Sequence, residues 1–249
     1  MLDPHPLTGK TALVTGGAAR LGAVSARHLH AAGAHLVIHY RSSAGPAEAL
    51  KAELDAVRPG SVTLVQGDLL ESATWPQLVE AALDATGRLD VLLNNASNYF
   101  PTPLESVTED QWASLFDVNA KAPFFLAREA APALKAHEGC IVNMVDIHAE
   151  RPNPGYPVYS MAKAANAMMV KALARELAPQ VRVNGVAPGA ILWPEGEAGE
   201  TAKRETLPRI PLGRTGRPEN IARTVLFLAT AEYITGQIIA VDGGRTIQQ

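Results

Sequence analysis

Short apolar runs of strand length alternate along the chain with helix-length amphipathic segments. The runs Thr11–Thr15, His35–Tyr40, Val62–Gln66, Leu89–Asn94, Cys140–Val145, Val181–Ala187 and Gln237–Val241 predict seven β-strands. Helices are expected near 20–32, 46–57, 74–86, 109–136, 158–178 and 218–230. Most of the strand runs are apolar throughout rather than alternating, the pattern of strands covered on both faces. Strands joined by helical crossovers predict an α/β fold: one parallel, doubly wound, seven-stranded sheet with right-handed connections. No linker rich in Gly, Pro or Ser divides the 249 residues, so a single domain (1–249) is expected after a short lead-in at 1–9. The stretch from Pro188 to Leu212 carries Pro194, Gly196, Gly199, Pro208 and Pro211 and is expected to be irregular. Ligands in open α/β sheets bind beyond the carboxyl ends of the strands, so this segment, 188–212, is the candidate substrate loop.

Composition narrows the class. Hydrophobic residues make up 47% and charged residues 19%, enough for a core, while 5% aromatics suits close helix-on-sheet packing. A net charge of −3 without a Lys/Arg stripe argues against nucleic acid or an anionic membrane as partner. No apolar run reaches the length of a membrane span, and residues 1–9 have no apolar segment of a secretory signal. The single cysteine, Cys140, excludes an internal disulfide, sits in an apolar strand as a packing residue, and suits a reducing, cytoplasmic setting. The seven histidines lack metal-ligand spacing, so no metal is expected.

The first strand runs into Thr15-Gly16-Gly17-Ala18-Ala19-Arg20-Leu21-Gly22. A glycine turn between a buried strand and a helix lets backbone N–H groups approach a pyrophosphate, although a plain tight turn would read the same way. Arg20 stands where a third glycine is expected, and a cation there calls for an anionic partner. The second strand ends in His39-Tyr40-Arg41-Ser42-Ser43, with no acid to hold the ribose hydroxyls of NAD. Arg41 and the two serines suit a 2′-phosphate instead, so NADPH is the expected cofactor. Asp68 and Leu69 follow the third strand, where the carboxylate either faces an adenine amino group or caps a helix.

Tyr159 and Lys163 lie four apart on one face of a predicted helix. An adjacent ammonium and an oxidised nicotinamide would favour the phenolate and lower a tyrosine pKa from its usual value near 10. Such a tyrosine exchanges a proton while hydride moves. Asn95-Ala96, Asn119 within Asp117-Val118-Asn119-Ala120, Pro188-Gly189 and Val241-Asp242-Gly243-Gly244 accompany the pair in chain order.

Together these motifs, spanning Lys10 to about Gly244, resemble the short-chain dehydrogenase/reductase family. The resemblance implies a Rossmann-type subunit, with Tyr159 as general acid, Lys163 as its tuner and ribose anchor, and Asn119 as holder of a proton-relay water. It also implies cofactor contacts at Gly16, Leu21, Gly22, Asn95, Ala96, Pro188, Gly189 and Ile191. The family's serine, thirteen residues before the tyrosine, is replaced here by Asp146. Either Asp146 marks a non-catalytic nucleotide binder, or its carboxylate relays protons to a nitrogen-containing substrate. Asp146, Arg20 and Ser97-Asn98-Tyr99-Phe100-Pro101-Thr102-Pro103 closely resemble the pteridine reductases. By that resemblance Tyr99, where Phe is usual, stacks a pterin against the nicotinamide. Ser97 hydrogen-bonds pterin and cofactor phosphate, and Arg20 bridges pyrophosphate and pterin. Trp193 is a pocket wall or a surface lid, His148 a loop residue, and Tyr156 lacks a lysine at the spacing of Tyr159. The expected activity is NADPH-dependent pterin reduction. The rivals are a ketone or 3-oxoacyl reductase and a non-enzymatic NADP-binding sensor. The long helices at 109–136 and 158–178 resemble those that pair subunits in this family, which implies a homotetramer.

Overall fold

The computed structural model describes residues 3–193 and 196–248. Seven strands form one sheet: β1 (Thr11–Val14), β2 (His35–Tyr40), β3 (Val62–Gln66), β4 (Val91–Asn94), β5 (Cys140–Met144), β6 (Arg182–Pro188) and β7 (Ile238–Val241). Their order is β3-β2-β1-β4-β5-β6-β7 and every pairing is parallel. The strand order reverses between β1 and β4, so their carboxyl ends splay apart and open a crevice there. This is the expected Rossmann-type, doubly wound α/β architecture.

Among the described residues, eight α-helices connect the strands: α1 (Arg20–Ala31), α2 (Ala44–Val57), α3 (Thr74–Thr86), α4 (Glu109–Phe116), α5 (Ala122–Ala136), α6 (Pro157–Glu176), α7 (Glu197–Thr206) and α8 (Pro218–Thr230). The period-two geometry of a strand sends alternate side chains to opposite faces. Ala12 and Val14, Leu36 and Ile38, Val91 and Leu93 therefore pack with Leu29, Leu54, Ile221 and Val225 beneath α1, α2 and α8. Leu13, Val37, Leu92 and Ile141 pack with Leu78, Leu126, Leu134 and Leu173 beneath α3, α5 and α6. Each fully buried Leu or Val contributes about 1.5–3 kcal/mol of apolar burial. Cys140 lies in the first of these layers. Burial raises its thiol pKa, in keeping with a packing role.

Two expectations change. The continuous helix over 109–136 is two helices joined by a wider π-type turn, Asp117–Lys121, in which the Ala122 N–H reaches back to the Asp117 carbonyl. Pro123 has no N–H to give the Asn119 carbonyl, so the regular ladder cannot pass through this turn. The 188–212 segment is not wholly irregular, because it contains α7 and a single 3₁₀ turn at Leu207–Arg209. Glu197 and Glu200 open α7 while Lys203 and Arg204 close it, matching the helix dipole. Pro194, named with that loop, lies outside the described residues. Among the described residues, no helix is long and apolar enough to cross a membrane.

The glycine turn at the β1–α1 junction has no spare room. A Cβ at Gly22 would lie 2.3 Å from the Gly16 carbonyl oxygen and 2.6 Å from Asn95 Nδ2. Gly22→Ala is therefore expected to lower the free energy of urea unfolding by about 1–3 kcal/mol. A loss under about 0.5 kcal/mol would show that the turn yields without strain.

Candidate active site

The crevice is built from the strand ends inward. Thr15 continues β1, and its hydroxyl accepts from the Asn95 and Ala96 amides at 3.0 and 3.1 Å. Asn95 Nδ2 donates back to the Thr15 and Gly16 carbonyls at 2.9 and 3.1 Å, locking the end of β4 to the glycine turn. His39 braces the turn from β2: its Nδ1 accepts from the Gly16 N–H at 3.2 Å while Nε2 reaches the Gly67 carbonyl at 3.0 Å. Burial lowers the His39 pKa, and a neutral ring donating from Nε2 satisfies both contacts. The run that ends β2, expected with His39 and Tyr40 at the cofactor corner, starts with this histidine. The structure makes it a strut for the turn.

Gly16 adopts φ +59° and Arg20 φ +51°, both left-handed. For arginine that conformation costs about 1–3 kcal/mol, and such strain concentrates at functional positions. The N-terminus of α1 is open, since Ala19 offers no capping side chain and the first turn holds no acid. A cradle whose glycines a Cβ would fill, beneath uncapped helix amides, fits the pyrophosphate of a dinucleotide. Arg20 and Arg41 are exposed, as are Ser42 and the Leu70 backbone that donates to Asp68 Oδ1 at 3.0 Å. Asp68 thus closes a local turn and does not cap α3, whose N-cap is Ala73. Tyr40 and Ser43 lie part-buried around the same corner, with Leu69 buried behind it. The Ile191 side chain packs inward among core residues, where a Cβ on Gly216 would meet its Cδ1 at 2.4 Å. Only the Ile191 backbone is left to face a nicotinamide. Pro188 ends β6, and Gly189 sits directly against Asp242.

At the centre, the Tyr159 hydroxyl donates to Asp146 Oδ2 at 2.8 Å, and Asp146 Oδ1 accepts from the His148 N–H at 2.8 Å. Lys163 is 2% exposed, donates to the Met144 carbonyl at 2.9 Å, and lies 5.7 Å from the Tyr159 ring centroid. Burial pushes the Lys163 pKa down to about 8, with Asp146 acting against it. The Tyr159 pKa lies well above the ordinary value, first because of burial and then because the Asp146 charge and hydrogen bond disfavour a phenolate. Ser97 acts in the opposite sense. The sequence predicted a lowered tyrosine. Burial and the Asp146 carboxylate act in the other direction and favour the protonated phenol.

Asn119 stands in the π-type turn. Its Oδ1 accepts from the Ser97 hydroxyl at 2.6 Å, and its Nδ2 donates to the Leu115 and Asn98 carbonyls, each at 2.9 Å. The Asn119 carbonyl that Pro123 leaves free accepts from Asn166 Nδ2 at 2.7 Å. A buried amide relay continues beneath: Asn143 Nδ2 donates to Asn166 Oδ1 at 3.1 Å, and Asn94 Nδ2 to Asn143 Oδ1 at 2.9 Å. The sequence reading missed Asn94, Asn143 and Asn166. Asparagines inside otherwise apolar strands were the available signal.

Tyr99 does reach the centre. Its ring stacks on Tyr156 with centroids 4.6 Å apart and meets the Tyr159 ring edge-on at 4.7 Å. Asn153 Nδ2 donates to its hydroxyl at 3.2 Å, and the Thr102 N–H donates to the Gly155 carbonyl, so the Tyr99 loop is docked on the loop before α6. Tyr156, weighed only as an acid, is the aromatic backing of Tyr99. Trp193 is part-buried, and its Nε1 has no acceptor among the described residues, which fits a pocket wall better than a surface lid. His148 is a loop residue, its Nδ1 2.8 Å from the Arg151 carbonyl. Among the described residues, no group of three or more His, Cys, Asp or Glu side chains is placed to hold a metal.

A family model described as enoyl-(acyl carrier protein) reductase matches residues 16–246. The chain is 38% identical to pteridine reductase 1 of Leishmania tarentolae, covering 96% of this chain and 97% of that protein. It is 37% identical to a 3-oxoacyl-[acyl-carrier-protein] reductase of Synechocystis, over 97% and 98% of the two chains. It is 35% identical to 3beta-hydroxysteroid dehydrogenase 1 of Eggerthella lenta, over 97% and 95%. These relatives are matched over nearly their whole length, while their names span several substrates. The chain belongs to the short-chain dehydrogenase/reductase family and is an oxidoreductase that uses a nicotinamide cofactor.

Proposed function

We propose that the protein reduces a pterin with NADPH, and that Tyr159 hydrogen-bonded to Asp146 is the proton-delivering pair. The observation that carries the reading is the 2.8 Å bond between the Tyr159 hydroxyl and a carboxylate in place of a serine. The similarity to a pteridine reductase over nearly the whole chain supports it. When bound, the dihydronicotinamide supplies hydride to a ring carbon of the pyrazine half.

The chain's residues do the rest. Leu21 and Gly22 present backbone N–H groups to the pyrophosphate, the left-handed Gly16 lets it approach, and Arg20 bridges it to the pterin. Arg41, Ser42 and Ser43 face the 2′-phosphate, while Lys163 holds the ribose. The exposed face of Tyr99, braced from behind by Tyr156, stacks the flat ring and orients it for hydride arrival. Hydride on the ring carbon leaves a strongly basic nitrogen beside it. A phenol held protonated by burial and by Asp146 remains loaded until that base forms, then gives up its proton. The Lys163 ammonium stabilises the phenolate, and the Asp146 carboxylate, at the solvent side of the pair, relays the replacement proton. For the second ring position, a water oriented by Arg20 is the donor. Ser97 and Asn119 hold the floor of this site in register.

A ketone or 3-oxoacyl reductase is the second reading, favoured by the Synechocystis relative. We further propose a cytoplasmic homotetramer. Trp112 and Phe124 on α4 and α5, with Met161 and Met168 on α6, are exposed on the long helices that would pair subunits.

NADPH oxidation with dihydrobiopterin, dihydromonapterin, dihydrofolate and a set of simple ketones and 3-oxoacyl thioesters tests the substrate. Pterin turnover at least tenfold above that of any carbonyl is expected, and turnover of carbonyls alone would sink the reading. Replacing Arg41 by Asp is expected to lower kcat/KM for NADPH roughly 10- to 100-fold, the scale of a lost charge-assisted hydrogen bond of about 1.5–3 kcal/mol, with a smaller loss for NADH. Preference of the unaltered protein for NADH would show that Arg41 does not read a 2′-phosphate.

A further inference from the structure

At the β7 edge of the sheet, the segments that carry two arginines are fastened together. After β7 the chain turns through Asp242-Gly243-Gly244 into a single 3₁₀ turn, Arg245–Ile247. That turn is fastened to the segment after α7. The Leu212 N–H donates to the Gly243 carbonyl at 3.1 Å, and a Cβ on Gly244 would lie 2.9 Å from the Pro211 ring. Arg209, in the 3₁₀ turn just before Pro211, is thereby brought beside Arg245. The charged and titratable groups near enough to act on the Arg245 charge are Asp146, Arg209, Tyr99 and Asp242.

Both carboxylates are already engaged. Asp146 accepts from Tyr159 and His148. Asp242 accepts from the Gly244 amide at 2.9 Å and from the Thr246 amide and hydroxyl at 2.7 and 2.8 Å. Among the described residues, neither Arg245 nor Arg209 makes an ion pair or a side-chain hydrogen bond. Arg245 is part-buried and burial lowers its pKa; the Asp146 charge acts against that, and the exposed Arg209 adds like-charge repulsion. A desolvated guanidinium beside a second one is costly unless an anion joins them.

The cofactor phosphates cannot be that anion. They belong at the β1 end, and β7 lies four strand spacings away, about 19 Å at roughly 4.8 Å per strand. An anion joining these arginines would therefore come with the substrate rather than with the cofactor.

We propose that Arg245 and Arg209 form a specificity subsite for a phosphate monoester on the substrate's side chain. This rests on the pterin reading above, and it makes the preferred substrate a dihydropterin with a phosphorylated tail rather than a neutral one. Two forked guanidinium groups match the double charge and several acceptor oxygens of one phosphate, while a single carboxylate satisfies only one of them.

The test compares kcat/KM for dihydroneopterin monophosphate, dihydroneopterin and dihydrofolate, in the unaltered protein and in the Arg245→Gln, Arg245→Lys and Arg209→Gln variants. The unaltered protein is expected to prefer the phosphate ester over its neutral parent at least tenfold, chiefly through KM. Both glutamine variants should shrink that preference to about threefold or less, and Arg245→Lys should restore part of it. Inorganic phosphate should compete with the phosphorylated substrate more strongly than with the neutral one. Equal loss on phosphorylated and neutral substrates would make Arg245 a merely structural residue and overturn the proposal. A preference for dihydrofolate over the phosphate ester would overturn the phosphate assignment. Turnover of neutral dihydroneopterin without a phosphate preference overturns this inference alone, whereas no turnover of any pterin overturns the pterin reading with it.

Discussion

A relay of buried amides holds the centre of this molecule in place. Asn94 on β4, Asn143 on β5, Asn166 on α6 and Asn119 in the turn between α4 and α5 are joined side chain to side chain and finally to a main-chain carbonyl. All four are buried, and each amide left unpaired there would cost about 1–3 kcal/mol. The only cheap arrangement is the one in which both strands, the helix and the turn share a single register. That register sets Asn119 under Ser97 and brings α6, with Tyr159 and Lys163, over the end of β5. Pro123 is part of the device, since by withholding an N–H it frees the carbonyl that closes the relay.

On that foundation the chemistry is decided by which group faces the Tyr159 hydroxyl. A carboxylate there does something a hydroxyl cannot: it adds charge as well as an acceptor. Together with burial it gives a phenol that resists ionisation, while burial pushes the adjacent ammonium down to about 8 against the pull of the carboxylate. Such a pair is poorly set to begin by abstracting a proton, and well set to yield one to a strong base created by hydride transfer. Nitrogen in a pterin ring is such a base. The aromatic wall of Tyr99 and Tyr156 presents a flat surface, and the arginines at the β7 edge are the proposed seat of a ring substituent's phosphate.

Much of this was legible in the residues, and the failures have physical causes. Two-faced burial makes a strand a solid apolar run, so β2 and β3 were read with their observed limits. The strong amphipathic patterns of α3 and α8 were read equally well. The break at Asp117–Lys121 was hidden because a π-type turn keeps helical composition, and only Pro123 hinted that the ladder fails. Helix α7 was missed because Glu-Ala-Gly-Glu-Thr-Ala-Lys-Arg-Glu-Thr has no apolar stripe; its acidic start and basic end were the unused signal. Tyr159, Lys163, Asn119, Asp146, Tyr99 and Ser97 do meet in space, as the motifs implied. The direction of the tyrosine's pKa was misjudged because burial and a neighbouring carboxylate cannot be weighed from spacing alone. Arg245 lies one residue past the last recognisable motif, and nothing local to it says that it turns back toward Asp146.

The central claim is that the carboxylate at position 146 commits the site to a nitrogen-containing ring. The most direct measurement is the ratio of kcat/KM for a dihydropterin to that for a ketone, in the unaltered protein and in Asp146→Ser, with NADPH affinity measured alongside. The account predicts that the serine variant binds NADPH normally and loses pterin turnover at least 100-fold, while ketone turnover holds or rises. Parallel loss on both substrates, or pterin turnover left intact, would contradict it.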